Sequence, residues 1–324
     1  MTTTPVTLDD IQGAFARIKD RVRRTPLLRT RFIREEPAPN PMMVKLECLQ
    51  VTGSFKPRGA MNAALQLSAA DLKRGIITAS GGNHGLGVAY AGWSLGAQAV
   101  IYLPSSTPEA KAEKLRAWGA EVVIEGAVYD DANEAALARA ERDGLTYIHA
   151  FANPAVIAGQ GTMAVEMLKQ SPDLDAIVVA IGGGGLISGI ATAAKAIKPE
   201  IKIIGVEAVG APTLYESVKA DELITLSEIS TKAGTLAPRR SAQPNFDIIR
   251  KHVDDIVLVT DEEMRSAAQW LWFEMGVGAE LSGAASLAAI QAGKLAASKV
   301  DLPDDALIAT IACGSGSDGI SLPA

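Results

Sequence analysis

Apolar residues recur along 7–23 as Ile11, Phe15, Ile18 and Val22, behind Thr7 and with Asp9 and Asp10 just inside the start. Residues at that spacing share one face of a helix, a threonine hydroxyl caps such a helix, and early carboxylates suit the positive end of its dipole. The spacing predicts an amphipathic helix over 7–23. Beyond it the pattern changes to short apolar runs. Those at 44–46, 76–79, 99–103, 122–124, 147–148, 176–181, 203–206, 256–259 and 308–312 predict strands. Helical patterns at 83–95, 108–118, 186–197 and 262–273 follow several of them. Such alternation predicts an α/β fold of open, mostly parallel twisted sheets with helices on both faces. These sheets bind ligands at the carboxyl ends of their strands, so the loops after strands are where chemistry is to be sought.

Three of those loops carry candidate chemistry. In the first, the run 176–181 enters Gly182, Gly183, Gly184 and Gly185, then Leu186 and a helical pattern containing Ser188. Glycines let backbone amides converge on a phosphate, and a helix N-terminus adds partial positive charge. A dinucleotide site is the rival reading, because Gly183-x-Gly185-x-x-Ser188 nearly fits its fingerprint and Glu207 follows at the distance of a ribose-binding acid. Serine replaces the third glycine, however, and four consecutive glycines suit a phosphate monoester better. The second loop is Ser54-Phe55-Lys56-Pro57-Arg58-Gly59, where Pro57 fits a first helical turn. A lone lysine is ordinarily a solvated surface group; partial burial beside a helix N-terminus lowers its pKa, as a Schiff-base lysine requires. The third is Ser80-Gly81-Gly82-Asn83-His84, able to hold a carboxylate or a phenolic oxygen, or simply to cap a helix.

Composition narrows the picture. At 324 residues and 48% hydrophobic, the chain exceeds the roughly 250–300 residues at which single cores stop growing, so two lobes are expected. A net charge of −6 argues against a nucleic-acid partner. Two cysteines, Cys48 and Cys313, make no disulfide framework. Residues 1–6 have no signal-peptide character, and no apolar run is long enough for a membrane span, so a cytoplasmic location is expected. The stretch 230–245, with Gly234, Pro238, Pro244 and the basic pair Arg239-Arg240, reads as a long irregular loop, either functional or disordered.

Taken in order, Ser-Phe-Lys-x-Arg-Gly-Ala, Ser-x-Gly-Asn-His and Gly-Gly-Gly-Gly-Leu resemble the fold-type II pyridoxal-phosphate enzymes, in particular the threonine/serine dehydratase and serine racemase group. The likeness runs from Arg24-Thr-Pro-Leu to Cys313-Gly-Ser-Gly-Ser-Asp318. It implies a two-domain, tryptophan synthase β-like fold, with a large domain of 1–70 and 151–324 and a small one of 71–150. It also implies pyridoxal 5'-phosphate as cofactor, a small β-hydroxy amino acid as substrate, and a homo-oligomer, expected as a dimer. Residue by residue, it makes Lys56 the Schiff-base lysine and the base at Cα. Phe55 lies against the ring, Asn83 bonds its phenolic oxygen, and Gly182 to Gly185 with Leu186 hold the phosphate. Ser80, Gly81, Asn83 and His84 surround the substrate carboxylate, Asn153 approaches the substrate, and Glu280 lies near the ring. Cys313 faces the pyridine nitrogen, where a weakly acidic thiol gives a mild electron sink that favours prompt loss of the β-hydroxyl.

Several positions depart from the group's pattern. Gly81 stands where serine racemases carry a proton-donating serine, which favours a lyase. Glu207 and Ala211 match two ligands of the group's cation site, but Thr213 replaces the second acid, so no divalent cation is expected to be required. Ala152 and the Arg239-Arg240 pair leave two readings open: threonine or serine, or a larger or acidic substrate such as 3-phenylserine or threo-3-hydroxyaspartate. The chain ends soon after Cys313, which implies a degradative enzyme without a regulatory domain. A nicotinamide oxidoreductase, the reading from a different class, leaves Lys56 and Asn83 unexplained.

Overall fold

The computed structural model describes residues 5–31 and 33–320. Within the expected large domain, residues 1–4, Phe32 and residues 321–324 lie outside the described residues. The chain begins with α1 (Leu8–Ile18), β1 (Leu27–Arg29), β2 (Met42–Lys45), α2 (Lys56–Ala64), α3 (Ala69–Arg74), β3 (Ile76–Ala79) and α4 (Asn83–Leu95). It continues through β4 (Ala99–Leu103), α5 (Glu109–Ala117), β5 (Glu121–Ile124), α6 (Tyr129–Asp143), β6 (Thr146–Tyr147), α7 (Pro154–Gln170) and β7 (Ala176–Ala180). Then come α8 (Gly185–Ile197), β8 (Lys202–Ala208), α9 (Thr213–Ala220), α10 (Gln243–His252), β9 (Asp255–Val259), α11 (Asp261–Met275), α12 (Leu281–Gln291) and β10 (Ile308–Ile311).

The first helix opens where its pattern says. The Thr7 hydroxyl accepts the Asp10 amide, and the Asp10 carboxylate accepts the Thr7 amide at 2.9 Å. It stops at Ile18, short of residue 23. The amides of Arg21 and Val22 turn back to the Ile18 carbonyl, while Arg21 binds Ser94 and its own carbonyl accepts the Tyr90 hydroxyl. Contacts with α4 therefore end the helix before its apolar spacing does.

Two sheets form. A six-stranded sheet has the order β1-β2-β10-β7-β8-β9, and a four-stranded sheet has the order β5-β4-β3-β6. All pairs are parallel except β1 with β2, an edge pairing with no counterpart among the predicted strands. Register also moves a boundary: β2 starts at Met42 because Met42 pairs with Ile308 of β10. In the smaller sheet, alternation places Ile76, Ile101 and Leu103 in one core with α2 and α4. Ile77, Val100 and Tyr102 face the other side, against Ala132 and Ala136 of α6. The larger sheet is buried on both faces, with β7 and β10 inaccessible along their length.

We propose the division into a large domain of 1–70 with 151–324 and a small one of 71–150, since the smaller sheet lies wholly within 76–147. Helix α2 sits at the seam. Its Ala60, Met61 and Ala64 pack on the smaller sheet, while Gly59 meets α7 so closely that a Cβ there would fall 2.9 Å from the Val156 carbonyl. That seam fixes the first residue of α2, which is Lys56.

Candidate active site

The loops after β3, β6, β7 and β10 converge where the sheets meet. The cavity between them is lined by Phe55, Lys56, Asn83, Phe151, Gly182 to Gly185 and Leu186, and closed by Thr235, Leu236, Glu280 and Cys313. Backbone bonds join the Lys56 loop to the end of β10: Phe55 N–H donates to the Cys313 carbonyl at 3.2 Å and Ser315 N–H to the Gly53 carbonyl at 2.7 Å.

Lys56 donates from Nζ to the Ala150 carbonyl at 3.0 Å, with Nζ 5.1 Å from the centre of the Phe55 ring. The residue keeps some contact with the cleft, but protein surrounds its amine. That burial lowers its pKa to about 8, against a smaller opposite pull from Cys313 and Glu280. Asn83 opens α4 and donates Nδ2–H to Glu280 Oε1 at 2.8 Å; Thr235 donates to the same oxygen at 3.3 Å. Burial raises the Glu280 pKa. The Cys313 thiol, pushed far up by burial, is neutral and donates to the Ser282 carbonyl at 3.6 Å.

The glycine loop is a cradle that side chains would fill. A Cβ on Gly182 would lie 2.7 Å from the Thr235 carbonyl, and one on Gly183 only 2.2 Å from Phe151 Cδ1. Gly184 has φ +91°, a conformation that favours glycine, and no side chain caps α8. The first amides of α8 are thus free of intrahelical partners, which suits an anion such as a phosphate monoester. The donor set fits pyridoxal phosphate: an anion cradle, a buried amine of lowered pKa, and an aromatic wall. The stretch 230–245 forms the back of this cradle. Gly234–Leu236 makes a short turn, Ser241 Oγ donates to the Gly183 carbonyl at 2.9 Å, and Asn245 Nδ2 donates to the same carbonyl at 2.6 Å. Ser241 and Asn245 were not among the sequence candidates; their only signal was the irregularity of the stretch holding them.

Other candidates fall differently. Ser80 accepts from Gly82 N–H at 3.3 Å, and Gly81 borders the space filled by Thr107, whose Cγ2 would be 3.0 Å from an added Cβ. His84 does not present its side chain to a substrate: the ring is buried and donates Nε2–H to the Ile148 carbonyl at 2.9 Å. Burial holds it neutral, at about 3. Any hold of residue 84 on a carboxylate therefore passes to its backbone amide at the uncapped start of α4. Asn153 does not line the cavity either. Its Oδ1 caps α7, accepting Ala155 N–H at 2.8 Å, because the chain must start a helix there. Arg239 turns to the carbonyls of Leu226 and Ser227, and Arg240 to the Thr225 hydroxyl, so both guanidiniums brace the loop.

At the cation candidates, both Glu207 oxygens accept amides of α9, from Leu214 at 2.9 Å and Tyr215 at 2.7 Å. Burial raises its pKa to about 8 despite those amides. The Ala211 carbonyl accepts Thr213 N–H at 2.9 Å, and the Thr213 hydroxyl donates to the Pro238 carbonyl at 2.7 Å. Among the described residues, no group of three or more His, Cys, Asp or Glu is arranged to hold a metal.

The model of a family described as pyridoxal-phosphate dependent enzyme matches residues 18–314. L-threonine ammonia-lyase of Thermotoga maritima is 39% identical over 285 residues, covering 88% of this chain and 71% of that protein. Among solved structures, maize serine racemase superposes with a TM-score of 0.91 at 33% identity, over 96% of this chain and 94% of that one. Threonine deaminase isoform 2 of Solanum lycopersicum gives 0.88 at 34% identity, over 98% and 93%.

Proposed function

The chain belongs to the family of pyridoxal-phosphate dependent enzymes, and from that premise we propose that it is an ammonia-lyase (a dehydratase) converting L-threonine or L-serine to a 2-oxo acid and ammonia. The observation that carries this reading is the Lys56 amine, buried, lowered to about 8, and set in one cavity with the glycine cradle and Cys313. Bound there, the cofactor supplies an electron-withdrawing ring that stabilises the charge left when Cα loses its proton.

The chain's own groups do the rest. Gly182 to Gly185 and the first amides of α8 hold the phosphate, with Leu186 behind them, and Phe55 flanks the amine. Lys56 Nζ, near neutrality in its pKa, takes the Cα proton of the substrate. The uncapped amides of α4 with Ser80 and Asn83 orient the carboxylate. Cys313 contributes a neutral thiol rather than a charge to the lining of the cavity. Gly81 offers no proton to the other face of Cα, which favours elimination over racemisation. Arg239 is braced on the carbonyls of Leu226 and Ser227 and Arg240 on the Thr225 hydroxyl, so neither guanidinium is set aside for an acidic substrate side chain. We further propose a dimer in the cytoplasm, with no divalent cation required. Among the described residues no helix is long and apolar enough to cross a membrane.

The test is to supply the holoprotein with L-threonine, L-serine, 3-phenylserine and threo-3-hydroxyaspartate, with and without a chelator. Both 2-oxo acid and the chirality of residual substrate are measured. We expect 2-oxo acid from L-threonine and L-serine at rates a chelator leaves alone. D-enantiomer in place of 2-oxo acid overturns the lyase reading, and loss on chelation with recovery in magnesium shows that a divalent cation is required after all.

The lowered amine makes a separate prediction. Attack on an aldehyde needs the unprotonated amine, so covalent capture of pyridoxal phosphate by the apoprotein rises with pH. The rise is about tenfold per pH unit below the Lys56 pKa, and it levels off above about 8. Borohydride trapping at timed intervals measures it; a rise continuing to the range of an ordinary lysine contradicts it.

A further inference from the structure

Between β6 and α7 the chain borders the cleft with little secondary structure, and side chains hold several of its polar groups. The Ile148 carbonyl accepts from His84, the Ala150 carbonyl from Lys56, and the Phe151 carbonyl from Asn245 at 3.2 Å. Side chains also hold two amides in the middle of this stretch, those of Phe151 and Ala152. Both donate to a single atom, Nδ1 of His149, at 3.2 and 3.0 Å. The His149 ring also meets the Phe151 ring edge-on, with centres 4.5 Å apart and planes at 88°. That Phe151 ring is the group that fills the space beside Gly183.

We propose that His149 is a positioning residue: its Nδ1, as acceptor for two amides, folds 150–152 so that the Ala150 carbonyl faces the Lys56 amine and the Phe151 ring backs the glycine cradle. The importance of Lys56 here rests on the lyase reading, while the fold of the loop does not. A nitrogen that accepts two N–H groups carries its lone pair outward, so the ring proton sits on Nε2. Burial, and then the charge of Lys56, lower the pKa of His149 to about 4, so the acceptor persists at neutral pH. Without it, two amides seek other partners and the loop between them relaxes. The Ala150 carbonyl, one residue from His149, moves first. Displacing a reacting group by as little as about 1 Å costs on the order of 10²-fold in rate.

The two nitrogens of the ring can be told apart by substitution. Asparagine places Oδ1 at the position of Nδ1, whereas glutamine carries its oxygen one bond further, nearer Nε2. His149→Asn therefore keeps the acceptor; His149→Gln and His149→Ala do not. Two readouts apply. The first is competitive amine labelling of Lys56 in the apoprotein across pH, read by mass spectrometry; the second is kcat and KM of the holoenzyme. In the Ala and Gln variants, Lys56 titrates below its wild-type value of about 8, because its ammonium loses the carbonyl acceptor. Their kcat falls by about 10²-fold with a smaller change in KM, and His149→Asn restores both readouts.

An Asn variant as impaired as Ala overturns the proposal. So does rescue by Gln in place of Asn, which would make Nε2 the working atom, or a Lys56 titration identical in all four proteins. Should His149→Ala fail to fold, the contrast between Asn and Gln still separates the two ring nitrogens. If every protein, wild type included, lacks lyase activity, the functional reading falls while the labelling still decides the role of His149.

Discussion

Lys56→Ala folds, binds pyridoxal phosphate without covalent attachment, and produces 2-oxo acid about 10²–10⁴-fold more slowly than wild type, since it removes the group we propose as both the covalent anchor and the base at Cα. The fold tolerates the change because the side chain makes one hydrogen bond, to the Ala150 carbonyl, and its removal relieves the burial of an amine. The measurements are 2-oxo acid release from L-threonine, the visible band of the holoprotein, and mass spectrometry after borohydride. Wild type carries the cofactor mass on the peptide containing residue 56 and the variant carries none. Activity within about tenfold of wild type would mean that another group takes the proton, because loss of a positioned general base costs about 10²-fold or more.

Two residues along the same helix, Arg58 carries the second large effect, on stability. Its guanidinium is wholly buried and binds two carboxylates: Glu47 through Nε and Nη2, each at 2.8 Å, and Glu166 through Nη1 and Nη2, each at 2.9 Å. Lys45, also buried, adds a bond to Glu166 at 2.8 Å. The four charges cancel, and the cluster ties β2, α2 and α7 together beneath Lys56. Arg58→Met leaves two buried carboxylates to share one lysine. Breaking a buried pair in this way costs about 3–5 kcal/mol, which in a chain this long lowers Tm on the order of 10 °C. Arg58→Lys loses less, keeping the charge without the fork that serves both acids.

The pH dependence of that loss has a definite sign. Burial works against ionisation of Glu47, but the charge and hydrogen bonds of Arg58 prevail and hold its pKa below the ordinary 4.5. Its contribution is therefore present above the unfolded value and is lost as pH falls through the folded one. In Arg58→Met, burial acts on Glu47 with less opposition, and protonation becomes favourable. The Tm gap between variant and wild type narrows from neutral pH to about pH 4. Thermal melts across that range check it; a gap that widens in acid would contradict the account.

Much of the candidate site is legible in the sequence. The lysine at the head of a helix, the strand that runs into four glycines, and Ser80-Gly81-Gly82-Asn83 are local patterns. The physical demand in each is met within a few residues: a helix N-terminus, a backbone free of Cβ atoms, a turn. The parallel α/β class was readable for the same reason, since strand and helix periods are properties of adjacent residues. Even the irregular stretch 230–245 announced itself, although nothing in it told a disordered loop from the wall of a cradle.

Direction and convergence belonged to the tertiary structure. Whether His84 points to a cleft or to the Ile148 carbonyl depends on where β6 runs, 64 residues along the chain. Asn153 looked like a substrate contact, but the helix beginning at Pro154 claims its side chain as a cap. Arg239 and Arg240 looked like a lure for acids until the fold brought 225–227 within their reach. Ser241 and Asn245 act on the Gly183 carbonyl, which no sequence pattern places beside them. By itself the sequence determined which residues carry reactive groups and which segments bury their faces, because charge, shape and periodicity are local. Only the packing of two sheets decided which of those groups meet, because a side chain's partner is set by what the rest of the fold leaves within about 3 Å of it.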